Sequence, residues 1–186
     1  MNKSDHHASR YDALTCYIPG STIRGYEMSE KYAVPLGFNV ISGGQSGADR
    51  AGLDWDIAHN LPHGGWCPKG RRSEEGPINT RYQLKETPAS NYLERTEWNV
   101  RDSDATLIFT LADKLDGGSK KTKELADKLG NPWRHIHPRV HPKFIASFLI
   151  KNQVKILNIA GKRESSAPVI SKWVAEVLEQ AIDVTQ

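Results

Sequence analysis

Apolar positions recur along the chain at two spacings, and the two alternate. Residues 38–42 (FNVIS) form a short apolar run stopped by Gly43 and Gly44, which predicts a buried strand and a turn. Beyond the turn, Ala48, Ala51, Gly52, Trp55 and Ala58 lie three or four apart, which predicts a helix with one buried face that ends before Pro62. Residues 63–66 read as a short second strand. The stretch CPKGRRSEEGPINTRYQLKETP then carries three prolines and two glycines, so it is expected to be a loop of a length usually reserved for function.

The alternation resumes after it. Asn91 stands three residues before Glu94, an N-cap with a reciprocal acidic partner, and a helix is predicted from there to about Arg101. Residues 105–110 (ATLIFT) read as a strand. Gly117, Gly118 and Ser119 open the next helix, with Ser119 as the expected N-cap, and Gly130-Asn131-Pro132 closes it. A strand at 133–137, a helix at 143–151 and a strand at 154–160 follow. The last helix has Pro168 in its expected first turn, an apolar stripe of Ile170, Trp173, Val174, Val177, Leu178 and Ala181, and Lys172, Glu176 and Glu179 on the opposite face.

Strands alternating with helices imply parallel pairing through right-handed crossovers. The expected fold class is therefore α/β: a three-layer Rossmann-like arrangement with a mostly parallel sheet of about five strands flanked by helices. In such sheets ligands bind at the carboxyl ends of the strands. The polar loops at 43–49, 67–75, 111–119 and 161–164 all follow strands, so they should gather on one edge. Residues 1–37 show no useful period and are read as an N-terminal extension to a ligand-binding domain at 38–186.

Composition narrows the class without naming it. The 186 residues suit one domain with an appendage, and 38% hydrophobic with 25% charged residues excludes collagen-like, wholly disordered and coiled-coil chains. A net charge of +3 allows small anions as ligands but argues against nucleic acid, as does the absence of aromatics interleaved with the basic residues. Two cysteines, Cys16 and Cys67, are too few for a disulfide framework and fit a reducing, cytoplasmic setting. No apolar run reaches the length of a signal peptide or a membrane span, so no membrane partner is expected.

Gly43, Gly44, Gln45, Ser46, Gly47 and Asp49 place three glycines between a strand and a helix, which allows close backbone approach and aims helix N–H groups at an oxyanion. The spacing is neither that of the dinucleotide fingerprint nor that of the P-loop. Asp49 reads equally as a dipole-stabilising residue and as an acceptor for a ribose or pterin hydroxyl. Gly117, Gly118 and Ser119, with Thr122 one turn on, repeat the device. Lys69, Arg71 and Arg72 could clamp an anion, or be a solvated loop neutralised by Glu74 and Glu75. Arg95, Asn99 and Asp102 could form a polar ligand stripe or a structural network. His135, His137 and His141 lack a matching carboxylate or cysteine and read as surface or edge histidines, not metal ligands, and Cys67 as a packed, inert thiol.

Four blocks of the chain carry a resemblance: ISGGQSGADRAGLDWDIAHNLPHGGWCPKGRRSEEGPI, YQLKETPASNYLERTEWNVRDSDATLIFT, GGSKKTKELADKLGNP and LNIAGKRESSAP. Together, from residue 38 to about 180, they resemble the "putative molybdenum carrier" family, a circularly permuted branch of a Rossmann-like superfamily that includes the lonely guy phosphoribohydrolases. The resemblance implies cytosolic homo-oligomers that bind molybdenum cofactor (molybdopterin). It makes Gly43, Gly44, Gln45, Ser46, Gly47 and Asp49 one ligand loop and Gly117, Gly118, Ser119 and Thr122 the other. The second loop departs from the hydrolases' P-G-G-x-G-T-x-x-E: Asp116, Lys120 and Lys121 replace the proline, inner glycine and threonine, while Glu124 keeps the acidic spacing.

Two functions follow. The first is a carrier that binds molybdenum cofactor or a related nucleotide-like anion at the glycine loops, with Lys69, Arg72, Arg95 and Asn99 as further ligand contacts. The alternative is a nucleoside 5'-monophosphate phosphoribohydrolase-like enzyme cleaving an N-glycosidic bond through Glu124, or a nucleotide sensor. A carrier is preferred to an enzyme because no other catalytic set is recognisable.

Overall fold

Every residue of Ala105–Phe109 is buried, the mark of a parallel strand covered on both faces. The computed structural model describes residues 31–185. Its elements in chain order are β1 (Tyr32–Ala33), β2 (Asn39–Ile41), α1 (Ala48–Ala58), β3 (His63–Gly64), β4 (Trp66–Cys67), β5 (Arg72–Ser73), β6 (Gly76–Pro77), β7 (Lys85–Glu86), α2 (Tyr92–Arg101), β8 (Ala105–Phe109), α3 (Gly117–Leu129), β9 (Trp133–Ile136), α4 (Pro142–Lys151), β10 (Ile156–Gly161), α5 (Ile170–Ala181) and β11 (Ile182–Asp183).

The main sheet has five parallel strands in the order β3-β2-β10-β8-β9. Counted from β10 as the first strand, this is the doubly wound order 3-2-1-4-5, so the fold is a circular permutation of that arrangement. Helix α5 packs between α1 and α4, while α2 packs on α3; right-handed crossovers put the two groups on opposite faces. The three-layer α/β expectation is met.

The larger core fills the space beneath α1, α4 and α5, with Val40, Leu107, Phe109, Leu157 and Ile159 from the strands meeting Trp55, Leu149, Val174 and Leu178. Burying side chains of this size stabilises by roughly 1.5–3 kcal/mol each. Residues 31–37, read with the N-terminal extension, bring Tyr32 and Val34 into this core, and β1 pairs with β11. Residues 1–30, including Cys16, lie outside the described residues.

Several local expectations are corrected. Residues 67–88 are not one irregular loop. They hold the end of β4, the β5–β6 hairpin and β7, and bury Cys67, Ile78, Tyr82 and Leu84 with Leu53 as a second cluster. Arg71 organises this segment: its guanidinium donates to the carbonyls of Ile78, Asn79, Tyr82 and Leu84. Helix α1 is thus covered on two sides, and Ala58 is exposed rather than part of the stripe. Asn91 accepts from the Glu94 amide as expected, but the Glu94 carboxylate receives Ala89 N instead of Asn91 N. Pro168 precedes the last helix: Val169 is the N-cap at φ 69°, and the Glu164 carboxylate takes the amides of Val169 and Ser171.

Candidate functional site

In a doubly wound sheet the order reverses between strands 1 and 4, here β10 and β8, and a crevice opens beyond their carboxyl ends. The loop after β10 crosses that point. Lys162 N donates to Phe109 O, its own carbonyl accepts from Ala48 N, and its ammonium pairs with Asp116 at the start of α3. One loop thereby touches both glycine-rich turns, and the expected gathering of loops occurs.

The glycines of the first turn are required by packing on the side where a Cβ would stand. A Cβ at Gly43 would stand inside the Arg95 guanidinium, one at Gly44 would overlap Leu84 and lie 3.1 Å from Ile78 Cδ1, and one at Gly47 would lie 2.6 Å from Glu164 N. The space beside each glycine is filled by the chain itself. Gln45 holds the turn to the hairpin, its Oε1 accepting from Ser46 N and Glu74 N, while Nε2 is buried without a partner.

Asp49 is buried in the first turn of α1. Burial pushes its carboxyl up, opposed chiefly by Arg95, whose Nη1 donates at 2.9 Å; Gln45 N and the more distant Arg163 also lower it. Arg95 Nε is buried and unpartnered. Asp49 therefore has an ion-pair role that neither reading of it as a helix-dipole residue or a hydroxyl acceptor included.

The second turn is open. Nothing lies within 4 Å of a Cβ built at Gly117 or Gly118. Asp116, not Ser119, is the N-cap of α3, and it makes no side-chain cap hydrogen bond because its carboxylate turns to Lys162. The first amides of a 13-residue helix consequently have no side-chain cap. Ser119 Oγ is buried and unpartnered, while Thr122 Oγ1 donates to Gly118 O at 3.1 Å.

A contact the sequence reading missed closes the edge. Glu74, at the tip of the β5–β6 hairpin, accepts from Ser46 Oγ and from Ser165 Oγ at 2.6 Å, with Arg163 Nη1 at 3.8 Å. These hydroxyls, Ser165 first, hold its carboxyl below the usual range. Arg163 lies over the Tyr92 ring at 5.2 Å. Glu75 pairs with Arg50. Neither glutamate neutralises the basic loop as proposed; the only available signal was their place in a polar post-strand segment.

The other expected ligand residues have settings of their own. Lys69 and Arg72 are exposed. Asn99 is structural: its amide accepts from Trp66 N at 2.8 Å and donates to Trp66 O at 2.9 Å. Asp102 accepts from the Trp66 indole at 2.7 Å. Glu124 is exposed on α3 and pairs with Lys121 at 3.0 Å, which keeps its carboxyl below the usual range. The His135 and His137 rings are tilted by 49° with centroids 5.1 Å apart, and His135 Nε2 meets Thr110 Oγ1 at 2.7 Å. Among the described residues no group of three or more His, Cys, Asp or Glu could hold a metal ion. Cys67 is buried, and burial pushes its thiol up. Among the same residues no helix is long and apolar enough to cross a membrane.

Comparison with known proteins agrees with this architecture. The circularly permutated YpsA SLOG family matches residues 40–182. The crystal structure of a putative molybdenum carrier protein from Syntrophus aciditrophicus SB is similar at 43% identity and a TM-score of 0.74, covering 78% of this chain and 94% of that one. A structure of (E)-4-hydroxy-3-methyl-but-2-enyl diphosphate reductase matches at 15% identity and a TM-score of 0.34, over 76% of this chain and 57% of that one, a likeness too slight to carry an argument. No curated protein matches. With a permuted strand order, a family match over most of its length and a relative at this identity, the chain belongs to the circularly permutated YpsA SLOG family.

Proposed function

We propose that the protein is a carrier that binds molybdenum cofactor, or a related nucleotide-like anion, across the crevice between the 43–49 and 116–122 turns. The observation that carries this reading is the gathering of buried, unpartnered donors. Gln45 Nε2 belongs to the first turn, Arg95 Nε lies beside Gly43 and Ser119 Oγ belongs to the second turn, and each can donate a hydrogen bond. Buried donors left without acceptors are costly, and a ligand rich in oxygen acceptors relieves that cost. The bare start of α3 favours the same ligand charge.

These groups suit the phosphate and pterin edges of molybdenum cofactor as cargo. The α3 amides and Lys162 would receive the phosphate, and Gln45 and Arg95 would receive ring oxygens or nitrogens. The relative from Syntrophus, described as a putative molybdenum carrier, supports this choice of cargo. A homo-oligomer in the cytosol remains the expectation drawn from the resemblance. An N-glycosidic hydrolase is less well supported, because Glu124 is an ion-paired carboxylate in water and lacks the raised pKa of a general acid.

The test is mass spectrometry with metal analysis of what the gently purified protein releases on denaturation, followed by binding of the released compound to wild type and Gly118→Asp. Gly118 has open space around it, so the variant should fold while placing a carboxylate in the nest. Loss of binding with an unchanged thermal transition is expected. Equal affinity in the two proteins would remove the α3 turn from the site.

A further inference from the structure

The Glu74 carboxylate is surrounded by the donor set of an oxyanion site. Ser46 Oγ approaches one oxygen and Ser165 Oγ the other at 2.6 Å; Ser165 N lies at 3.5 Å, and the Arg163 guanidinium closes the set at 3.8 Å. Two hydroxyls, an amide and a stacked guanidinium converging on two oxygens are what a phosphate or similar tetrahedral anion requires.

The donors and the acceptor come from different parts of the fold. Ser46 stands on the turn after β2, and Arg163 and Ser165 on the loop after β10, two adjacent strands of the main sheet. Glu74 is delivered by the β5–β6 hairpin, whose strands pair only with each other, at Arg72↔Pro77 and Ser73↔Gly76. Gly70 at φ 77°, Arg71 at φ 50° and Gly76 at φ 98° bracket the tip, and nothing lies within 4 Å of a Cβ at Gly76. In front of the carboxylate is an open cavity of about 520 Å³, lined by Glu74, Glu75, Glu164 and Ser165. The other two glutamates are satisfied separately: Glu75 by Arg50, Glu164 by the amides of Val169 and Ser171 and the Ser171 hydroxyl.

We infer that Ser46, Arg163 and Ser165 form an oxyanion subsite of the ligand crevice and that Glu74 is its internal occupant, held there by the hairpin until a phosphate-like group displaces it. The inference rests on the reading of this edge as the ligand site and adds its regulation. A ligand then meets a protein whose competent state, hairpin out, is a minor fraction, and its apparent affinity is reduced by that fraction. The device would keep the crevice from filling with free inorganic phosphate and admit a ligand with further contacts at the α3 turn.

The test is calorimetric titration of the full chain with inorganic phosphate and with adenosine 5'-monophosphate. Glu74→Ala should bind phosphate about tenfold more tightly than wild type, and Ser165→Ala in that background should abolish the gain. Should Glu74→Ala fail to fold, Glu74→Gln keeps an acceptor for the two hydroxyls while removing the charge, and is expected to gain affinity in the same direction. A folded variant of either kind that binds phosphate no better than wild type overturns the inference and makes Glu74 a structural staple. Gly118→Asp separates the two readings. A phosphate gain in Glu74→Ala whose binding of adenosine 5'-monophosphate is indifferent to Gly118→Asp keeps the subsite and refutes the two-turn crevice. No phosphate gain, with released cargo still lost in Gly118→Asp, does the reverse.

Discussion

The Arg95 guanidinium donates to the Asp49 carboxylate at 2.9 Å, with both side chains largely withdrawn from solvent, and occupies the space that a side chain at residue 43 would need. Glycine at 43 and arginine at 95 are thus one structural choice, made between a strand-to-helix turn and a helix on the opposite face.

Removing one partner of this pair leaves a buried charge. Arg95→Met is expected to lower the unfolding free energy at pH 7 by about 3–5 kcal/mol. Without Arg95 the folded-state pKa of Asp49 rises further, so the deficit should shrink as pH falls and the carboxyl takes up a proton. Urea denaturation at pH 5 and pH 7 measures both; a deficit independent of pH would show that Gln45 N suffices to hold the charge.

Asp56 provides a second pH dependence, of defined sign. It is fully buried on α1, its Oδ2 accepts from Val40 N at 2.5 Å, and its Oδ1 has no partner. Burial pushes its carboxyl from 3.8 up to about 7, against the lowering effect of the Val40 amide. Across that window the folded chain holds a proton that the unfolded chain has lost, so stability falls as pH rises from about 4 to about 7, by on the order of 4 kcal/mol. Asp56→Asn should flatten this slope. Equal slopes in the two proteins would assign it to other groups.

The glycines of the two turns should respond oppositely to the same substitution. Gly47 adopts φ 80° and ψ −131°, with the 162–164 backbone against it, and Gly47→Ala should cost at least about 2 kcal/mol. Gly118 lies in the first turn of α3 with open space around it, and Gly118→Ala should be neutral or stabilising by up to about 1 kcal/mol. Thermal unfolding of the pair decides. Similar losses in both would mean that the α3 turn is packed rather than open.

Asn99 was a candidate ligand contact and is now expected to act on stability alone. Asn99→Ala strands the Trp66 amide and carbonyl and should cost about 1–3 kcal/mol. It should also perturb tryptophan emission, since the Trp66 and Trp98 rings meet edge-on with centroids 4.6 Å apart. Affinity for the released cargo, corrected for folded fraction, should not change.

The alternation of strands and helices was legible because burial on a parallel sheet writes long apolar runs, as at residues 105–109, and because caps such as Asn91 and Gly130 act over a few residues. Both glycine turns were legible for the same local reason. Their different uses were not, since the occupants of the space beside Gly43, Gly44 and Gly47 come from residues 95, 84 and 162–164. Nor could spacing show that Arg71 spends its guanidinium on four carbonyls, that Asn99 bridges Trp66, or that Glu74 reaches Ser46 and Ser165. Those are long-range pairings that only the closed fold brings together.

Strand order also governs how the chain can be assembled. β10, the central strand, is the last of the five to leave the ribosome, and both halves of the sheet need it: β2 on one side and β8 on the other. Until then β3-β2 and β8-β9 are separate pairs with bare inner edges, and α5, which packs between α1 and α4, has yet to be made. Asn39 must wait for Ile156. Folding is therefore bound to be late and dominated by distant pairings, which makes it slow and leaves the nascent halves dependent on protection from one another and from their neighbours.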